Sequence, residues 1–487
     1  MGDTRTNVCF ASGTAFSSPH VERMKQLLTG AREEGLSAKR SPHKILNHLE
    51  TAVDHDAIAR ALGLHHKADP PQWWLANRAL LARELSHGVA GPLPIFGALP
   101  GKLRFLAARF PQLVDALVRN AQEFGHPLSR AQVLALLHSF YTAAQIEFHP
   151  CDICNHSCRG CTYAHDDPEL KPDPICFPFR RLDAIAAFDP KSLVFAGGGE
   201  PELYKDPATG KTFPDLVAEL RRLLPDCHFG LITNGTRYAG VPWFNEFRWV
   251  RFSIDAATPA TYRTHRGRDD FDKVCSNLVD LLARTNVPQV NVGFVFYAGN
   301  IHEAPQAARY FYDLVNTHCP EALGRLYIDY RPLRRDPKDL ARDFPESVSG
   351  AQIAQACEEF LSLASDPWFA SFLRTNTNCV SILDGHTHDR TGFTRCDYSS
   401  IYRLIRANGD VRPCCMRLAE PEFDLGNILC DAQALIALRI LVNAAFLLPG
   451  CDAAGCKLAR LNRTATDGIE GRLAPSTDPA IAGNRFF

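Results

Sequence analysis

The sequence predicts an α/β fold built on a parallel β-sheet with helices packed on its outside. Six short apolar runs, rich in β-branched and aromatic residues, alternate with amphipathic segments between residues 144 and 340. A helical region precedes them and a cysteine-rich region follows. With 487 residues, 46% of them apolar and 22% charged, the chain is long enough for two or three globular domains.

The net charge and the termini limit the partners that the protein can have. A net charge of -1 gives no overall field that would attract nucleic acid or anionic lipid, so we expect neither as a partner. The N-terminus lacks a cationic start followed by an apolar core, and no run of about 18 apolar residues occurs. We therefore predict a cytoplasmic protein without a membrane span.

The seventeen cysteines indicate metal or redox chemistry. Disulfide scaffolds are short, secreted and loop-rich, and this chain has none of these properties. Cys227, Cys275, Cys319 and Cys357 lie in helical or strand-edge contexts, where we expect buried thiols that act as small apolar side chains.

Residues 1–143 are predicted to form a helical N-terminal domain. Segments such as "VERMKQLLTGAREEG" and "SRAQVLALLHSFYTAAQ" place apolar residues three and four positions apart, and "ADPP" and "GPLP" separate the helices. No catalytic grouping occurs there, so we interpret this domain as a cap or docking domain.

The core of the fold is predicted at residues 144–340. Its strands are "AQIEFHP", "SLVFAGGGEP", "FGLITNG", "WVRFSIDA", "QVNVGFVFYAG" and "RLYIDYRPL", and "FPDLVAELRRLL", "DKVCSNLVDLLART" and "APQAARYFYDLVNTH" are helices between them. A helical connection at 341–395, a cysteine-rich domain at 396–460 and a tail at 461–487 follow. In parallel sheets functional groups gather at the C-terminal ends of the strands, and this is where the motifs below lie.

Three cysteines follow the first strand with the spacing C-x3-C-x2-C: Cys154, Cys158 and Cys161. One loop can wrap three such thiolates around a metal centre. A [4Fe–4S] cluster takes four ligands, so three cysteines would leave one iron open for a small molecule. A zinc site or a closed cluster, with Cys151 or His156 as the fourth ligand, is the competing interpretation.

Polar and glycine motifs stand at the ends of the later strands. "GGGEP" ends the second strand, and a glycine backbone can approach a ligand closely. "LITNG" ends the third, while Ser253 and Asp255 end the fourth and should point the same way because strand side chains alternate. Asp329 and Arg331 share one face of the sixth strand, either as substrate contacts or as a structural salt bridge.

In this order the motifs resemble the radical S-adenosylmethionine (SAM) superfamily over about residues 146–335. The resemblance implies a partial (β/α)6 TIM-type barrel in which Cys154, Cys158 and Cys161 bind three irons of a [4Fe–4S] cluster. The amino and carboxylate groups of SAM would chelate the fourth iron. An electron, supplied by a reductant such as flavodoxin or ferredoxin, would cleave SAM to a 5′-deoxyadenosyl radical that removes a hydrogen atom from the substrate.

The same resemblance implies a set of SAM-binding residues. The backbone edge of Gly197, Gly198, Gly199 and Glu200 would pair with the methionyl amino group, and Asn234 would lie near the pocket. Ser253 and Asp255 would contact the SAM ribose or the substrate, and Arg266 would reach the SAM carboxylate, since guanidinium suits carboxylates. A plain turn for "LITNG" and a surface position for Arg266 are the simpler alternatives. The sequence departs from the family at Gly160, where an aromatic residue is common.

The second cysteine region has the frame C-x12-G-x4-C, formed by Cys396, Gly409 and Cys414. "NGD" between two apolar runs predicts a hairpin that brings the two cysteines together. With Cys451 and Cys456 they make four thiolates. This resembles the SPASM or twitch auxiliary-cluster domain, although "CDAAGC" is C-x4-C where the family often has C-x2-C. The resemblance implies one auxiliary [4Fe–4S] cluster, with zinc as the alternative.

Cys415 is the remaining candidate for catalysis, as a hydrogen-atom donor or a substrate-side ligand, unless it is an idle neighbour of Cys414. The resemblance implies a peptide or small natural-product substrate. A deaminase or dehydrogenase of an amino sugar or nucleotide sugar is the alternative, and a non-catalytic iron–sulfur or zinc scaffold is a second one.

Overall fold

The computed structural model describes residues 141, 143–161, 163, 174–238, 243–333 and 348–383, and then 396, 398–400, 402–415, 418, 423–431, 433, 436, 437 and 440. Nearly all of the predicted N-terminal domain, the predicted tail, Cys451 and Cys456 lie outside these residues.

The six predicted strands are confirmed, and they lie side by side in one parallel array. They are β1 (Gln145–Phe148), β2 (Ser192–Phe195), β3 (His228–Thr233), β4 (Phe247–Ser253), β5 (Gln289–Phe296) and β6 (Leu326–Pro332). Within the described residues β6 forms one end of the sheet and does not pair with the other end. The fold is therefore a partial barrel that is not closed.

Three more strands continue the sheet on the far side of β1. They are β7 (Tyr402–Ile405), β8 (Asp410–Arg412) and β9 (Gly426–Asn427), and the full order is β6-β5-β4-β3-β2-β1-β7-β8-β9. β7 is parallel to β1, and β7 and β8 form the predicted hairpin, with Gly409 at its turn at a φ of 88°. The hairpin thus belongs to the same sheet as the core.

Helices cover the outside of the sheet. They are α1 (Asp183–Ala186), α2 (Phe213–Leu223), α3 (Pro259–Arg266), α4 (Phe271–Arg284), α5 (Ala304–His318), α6 (Gly350–Leu363), α7 (Pro367–Asn376) and α8 (Val380–Leu383). The predicted α2, α4 and α5 are confirmed, whereas α3 was not predicted. Thr258 begins α3 by accepting a hydrogen bond from the Thr261 N–H, and Gly267 ends it in the left-handed region.

The core lies between the sheet and these helices. Strand residues such as Ile146, Phe195 and Val292 are fully buried against apolar helix residues such as Leu220 and Leu278. The four cysteines expected to be apolar, Cys227, Cys275, Cys319 and Cys357, are buried as predicted.

The other face of the strands lines the barrel interior and is largely polar. A small apolar cluster of Val194, Ala196 and Trp249 packs there. Gly230 provides room for the indole of Trp249, since a Cβ at Gly230 would lie 2.3 Å from that ring. Above this layer the interior side chains are charged, so the open end of the barrel is a polar environment.

The outer edge of β6 is covered by the segment after α7. Thr377 forms a bridge with Ile328, and the Asn378 amide pairs with backbone groups of Tyr330. This pairing satisfies an edge that would otherwise expose backbone donors and acceptors. Among the described helices, none is both long and apolar enough to cross a membrane.

Candidate cluster and cofactor site

The three cysteines of the first cluster lie on one loop, which follows β1 at the C-terminal end of the parallel strands. Cys154, Cys158 and Cys161 are half-buried. Burial raises the pKa of Cys154 to about 12, and negative charge on Glu200, Cys158 and Cys161 contributes in the same direction. Binding of iron to these sulfurs must therefore displace protons.

The predicted glycine motif holds the beginning of this loop. The N–H groups of Gly199 and Glu200 donate to the carbonyls of Cys151 and Ile153, at 2.9 and 2.7 Å. A Cβ on Gly199 would lie 2.0 Å from the Ile153 carbonyl oxygen, and one on Gly198 would lie 1.8 Å from a carboxylate oxygen of Asp152. The glycines are thus required by the cluster loop itself. A contact of Gly197–Gly199 with SAM stays a prediction.

The side chain of Glu200 joins the ends of β2 and β3. It accepts hydrogen bonds from the Asn234 N–H at 2.6 Å and from the Thr233 hydroxyl at 2.8 Å. Desolvation raises the pKa of Glu200 to about 7. Desolvation and the nearby charge of Glu200 raise the pKa of Glu202 to about 8. The Glu200 carboxyl is therefore engaged by the protein.

Asn234 holds the cluster loop from the side of β3. Its Nδ2 donates to Oδ1 of Asn155 at 2.8 Å, and Asn155 in turn donates to the Thr236 hydroxyl at 2.7 Å. Asn155 is the residue after Cys154, and the sequence analysis did not identify it. Its position inside the C-x3-C spacing was the available signal.

Arg266 lies beside the cluster loop and is enclosed by anionic groups. Its Nη2 pairs with Oδ2 of Asp255 at 2.8 Å, and its Nη1 donates to Sγ of Cys158 at 3.4 Å. The pKa of Arg266 is raised because the charges of Asp255 and Cys158 outweigh its desolvation. The structure thus directs this guanidinium toward Cys158, one of the predicted iron ligands, and its predicted contact with the SAM carboxylate stays a prediction.

Asp255 does not follow the strand alternation that the sequence suggested. β4 ends at Ser253, and Asp255 has a φ of 62°, in the left-handed region. Its Oδ1 accepts the N–H of Val295 at 2.7 Å, which holds the carboxylate beside Arg266. Ser253 is half-buried at the end of β4, and its hydroxyl has no hydrogen-bond partner within the described part of the chain.

The C-terminal end of α3 packs against the same loop. The N–H of Arg159 donates to the carbonyl of His265 at 2.9 Å. A Cβ on Gly267, whose φ is 64°, would lie 2.6 Å from the carbonyl oxygen of Ser157. The sequence analysis did not predict this contact, although a glycine such as Gly267 after a helical segment is a common signal for the end of a helix.

Two arginines, Arg251 and Arg331, pair with Asp329 in the barrel interior near the end of β6. Arg331 and the buried Arg251 pair with the same oxygen of Asp329, at 3.2 and 3.6 Å, and Asn378 donates to its other oxygen at 2.8 Å. Desolvation, followed by the charge of Arg331, lowers the pKa of Arg251 to about 9. Asp329 and Arg331 therefore form the salt bridge that the sequence analysis named as one alternative. Arg331 is half-buried and forms its ion pair with Asp329 alone among the described residues.

A second polar chain connects the cluster loop to the hairpin. Nε2 of His149 lies 3.0 Å from Oε1 of Glu147, and the Tyr163 hydroxyl lies 2.9 Å from Nδ1 of His149. On the other side the Tyr402 hydroxyl donates to Oε2 of Glu147 at 2.5 Å. Tyr163 follows Cys161 by two residues, so the chain runs from the first cysteine loop to β7.

Three described cysteines of the second region pack against the edge of the core. Cys396, Cys414 and Cys415 are half-buried, and their charges contribute to raising the pKa of Tyr398, after desolvation as the largest cause. The pKa values of Tyr163 and Tyr402 are raised by desolvation and by the charge of Glu147, and the charge of Cys415 contributes in the same direction.

The donor set fits an iron–sulfur cluster. Among the described residues no three His, Cys, Asp or Glu side chains converge as the ligands of a single metal ion do. The thiolates of a [4Fe–4S] cluster each bind a different iron, so they need not converge on one point. Cys154, Cys158 and Cys161 are half-buried on one loop, and Arg266 supplies a hydrogen-bond donor to Sγ of Cys158.

The three cysteines thus lie on the loop after the first strand of a partial barrel, at the C-terminal end of its parallel sheet. Residues 148–310 match the family model of the Radical SAM superfamily. This segment, about a third of the chain, is therefore similar to the Radical SAM superfamily.

The solved structures to which this chain is similar are distant in sequence. "Native anSMEcpe with bound AdoMet" is 18% identical over 66% of this chain and 88% of that chain, with a TM-score of 0.42. "Crystal structure of BtrN in complex with AdoMet and 2-DOIA" is 14% identical over 68% and 90%, with a TM-score of 0.29. "Crystal structure of HydG: A maturase of the [FeFe]-hydrogenase" is 13% identical over 64% and 65%, with a TM-score of 0.34. No curated protein matches the chain. Likenesses of this size carry no conclusion about the substrate.

Proposed function

We propose that this protein cleaves SAM at a [4Fe–4S] cluster held by Cys154, Cys158 and Cys161, and that the resulting radical abstracts a hydrogen atom from a peptide or natural-product substrate. The observation that carries the proposal is the shared loop of the three cysteines, fixed on one side by "GGGEP" and on the other by Arg266. When bound, the cluster and SAM supply the electron transfer and the 5′-deoxyadenosyl radical.

The protein's own residues hold this loop in place. Gly199 and Glu200 bind its beginning, Asn234 binds Asn155 within it, and the end of α3 binds Arg159. Arg266 donates to Sγ of Cys158 and so helps to fix the position of that side chain. Ser253 has a hydroxyl without a protein partner in the described residues, which makes it the SAM- or substrate-binding side chain that we favour at the end of β4.

The test is the release of 5′-deoxyadenosine. We expect the anaerobically reconstituted protein to form it from SAM with dithionite, and Cys158→Ser to lose this activity together with most of its iron at the first site. Cys227→Ser, which removes a buried thiol far along the chain, is the control and should keep both. If the wild-type protein holds a reducible [4Fe–4S] cluster and forms no 5′-deoxyadenosine, the proposed function is wrong.

We further propose an auxiliary [4Fe–4S] cluster of the twitch type, bound by Cys396, Cys414, Cys451 and Cys456. Its support is the antiparallel hairpin of β7 and β8, which begins after Cys396 and ends before Cys414. The wild-type chain should then hold about eight iron atoms, and the Cys396→Ala/Cys414→Ala variant about four. Equal iron contents, or zinc in both proteins, would contradict the second cluster.

The substrate site that we propose is the open end of the barrel near β6. Arg331 is half-buried there and pairs with one carboxylate that it shares with Arg251. A substrate with carboxylate, hydroxyl or amide groups suits such donors, which agrees with a peptide or an amino-sugar-like natural product. Arg331→Gln should leave 5′-deoxyadenosine formation without substrate unchanged and abolish the substrate-dependent increase.

A further inference from the structure

Cys151 and Cys176 face each other at the two ends of the segment that carries the first cysteine cluster. They form an isolated antiparallel bridge outside the named strands. The N–H of Asp152 donates to the carbonyl of Ile175, and the N–H of Phe177 donates to the carbonyl of Pro150, both at 2.9 Å. These bonds flank the two cysteines, so the cysteines occupy a non-hydrogen-bonded antiparallel position.

This position suits a disulfide. In antiparallel pairs of this kind the Cα atoms are about 4.5 Å apart and the side chains lie on the same side of the pair. Disulfides span Cα distances of about 4.4 to 6.8 Å, so the backbone here needs no rearrangement to form one. Both residues are free cysteines in the structure.

The two thiols differ in access and in reactivity. Cys151 is fully buried, with its Sγ 3.3 Å from the Glu200 carbonyl oxygen, whereas Cys176 is half-buried. The hydrogen bond from Cys151 lowers the pKa of Cys176 to about 7, and the same contact raises the pKa of Cys151. An accessible thiolate next to a buried thiol is the usual arrangement of an attacking and a resolving cysteine.

We propose that Cys151 and Cys176 form a reversible disulfide that closes the base of the cluster loop. With oxidised glutathione as the oxidant, the Cys176 thiolate attacks one sulfur of glutathione disulfide and releases one glutathione thiolate. The Cys151 thiol then loses its proton, attacks Cys176 and releases the second glutathione. The two protein thiols lose two electrons and two protons in total, and one glutathione disulfide becomes two glutathione thiols.

The pair has a consequence for the cluster. Cys151 precedes Cys154 with the spacing C-x2-C, which is itself a metal-binding spacing, and as a free thiol it would compete for iron. Its Sγ instead lies next to Cys176 and the Glu200 carbonyl. Pairing with Cys176, as a dithiol or as a disulfide, removes Cys151 from the ligand set and leaves three cysteines for the cluster.

The cleavage sites for a protease that cuts before aspartate allow a direct test. Such a protease yields peptide 115–151 with Cys151 alone, peptide 152–165 with the three cluster cysteines, and peptide 173–182 with Cys176 alone. The reconstituted holoprotein is equilibrated anaerobically with mixtures of oxidised and reduced glutathione, quenched in acid, alkylated under denaturing conditions and digested. We expect a linked species of 115–151 and 173–182 that increases with oxidised glutathione, disappears with excess reduced glutathione and leaves the iron content unchanged.

Two variants and one matched control make the result specific. Cys176→Ser and Cys151→Ser should each abolish the linked species and keep the iron, and Cys275→Ser, another buried thiol, should leave the species in place. The proposal is overturned if no linkage between 115–151 and 173–182 forms at any glutathione ratio, or if Cys151→Ser removes iron as Cys158→Ser does. Neither readout involves SAM cleavage, so failure of this proposal and failure of the proposed function are separate results.

Discussion

Arg266 carries a positive charge into the surroundings of a proposed cluster ligand. It donates to Sγ of Cys158 and is held by Asp255. A cation beside a cluster stabilises its reduced, more negative form. Arg266→Gln should therefore shift the reduction potential of the first cluster to more negative values by several tens of millivolts, measured by an EPR-monitored redox titration.

Arg263→Gln provides the matched control for that change. Arg263 lies one turn earlier on α3, is exposed, and pairs with Asp269. The variant removes the same charge from the same helix, at a side chain that does not contact the cluster loop. The first cluster of Arg263→Gln should therefore keep the wild-type reduction potential. Equal potentials in the wild-type protein and Arg266→Gln would show that the arginine does not act on the cluster.

The carboxyls of Glu200 and Glu202 make the stability of the fold depend on pH. Their folded-state pKa values, about 7 and about 8, are above the ordinary value of 4.5. The stability that the protonated carboxyls contribute is complete below pH 4.5 and is lost as the pH rises through 7 and 8. The free energy of unfolding should fall in that window, by no more than about 1.4 kcal/mol per pH unit for each proton.

Chemical denaturation between about pH 6 and about pH 8.5 measures this slope. Glu202→Gln should flatten it, because the variant removes one of the two carboxyls whose pKa is raised. Glu219→Gln is the control, since Glu219 pairs with Arg222 on the surface and has a lowered pKa, outside the window. An unchanged slope in Glu202→Gln would show that the Glu202 carboxyl does not contribute to the dependence of stability on pH.

Sequence reasoning identified most residues of the site and only some of their contacts. The cysteine spacing, "GGGEP" and Arg266 lie together in the structure because they follow neighbouring parallel strands, and such positions can be predicted. The contacts of Asp255 could not be predicted, because strand alternation ends where its backbone enters the left-handed region. Asn155 was missed because its position inside the C-x3-C spacing does not reveal its partners, Asn234 and Thr236, which follow a strand about 80 residues later.

At the scale of elements, α3 supports the cluster loop through the residue that ends it. Gly267 has a φ of 64°, and a Cβ there would lie 2.6 Å from the Ser157 carbonyl oxygen. Gly267→Ala should therefore displace residues 157–159 and reduce iron at the first site by at least half, measured as iron per chain after anaerobic reconstitution.

Gly210→Ala separates backbone strain from this contact. Gly210 has a φ of 69°, but a Cβ there would meet nothing within 4 Å. Both variants carry a similar left-handed penalty, on the order of 1 kcal/mol, so only the contact differs. A normal iron content in Gly267→Ala would mean that the end of α3 does not position the loop.

The elements themselves were predictable to different degrees. The six strands have β-branched or aromatic runs bounded by turn residues, and each long helix has an apolar stripe, so local pattern was sufficient. α3 has only two buried residues, Tyr262 and His265, so its periodicity is too weak to indicate a helix. Its signals were at the ends, in the Thr258 cap and the glycine after Arg266.

At the scale of the whole molecule, the sheet joins the first strand of the barrel to the hairpin of the second cysteine region. The Tyr402 hydroxyl on β7 donates to Glu147 on β1, across 255 residues of sequence. Tyr402→Phe removes this buried hydrogen bond and should cost about 1 to 3 kcal/mol of unfolding free energy. Hydrogen exchange of residues 402–412 should become faster.

Tyr330→Phe is the control for that loss. Its hydroxyl is also buried and donates to the Ala304 carbonyl at 2.7 Å, but Tyr330 lies on β6, at the end of the sheet away from the hairpin. It should lower the stability without a selective effect on the exchange of the hairpin. If both variants alter hairpin exchange equally, the bond between Tyr402 and Glu147 does not couple the two regions.

The sequence predicted the hairpin but not its place in the sheet. A hairpin is recognised from a few neighbouring residues, whereas pairing of β7 with β1 depends on contacts between residues far apart in the chain. For the same reason the polar chain from Tyr163 through His149 and Glu147 to Tyr402 could not be predicted.

The central claim is that one iron of the first cluster is open and binds SAM. Pulsed EPR of the reduced, reconstituted protein with SAM labelled at its methionyl amino nitrogen and carboxylate oxygens tests it most directly, ideally in Cys396→Ala/Cys414→Ala to remove signals from a second cluster. We expect hyperfine coupling from both labels to the cluster, and we expect this coupling to be lost in Cys158→Ser. A cluster without coupling to either label, or zinc bound by the three cysteines, would contradict it.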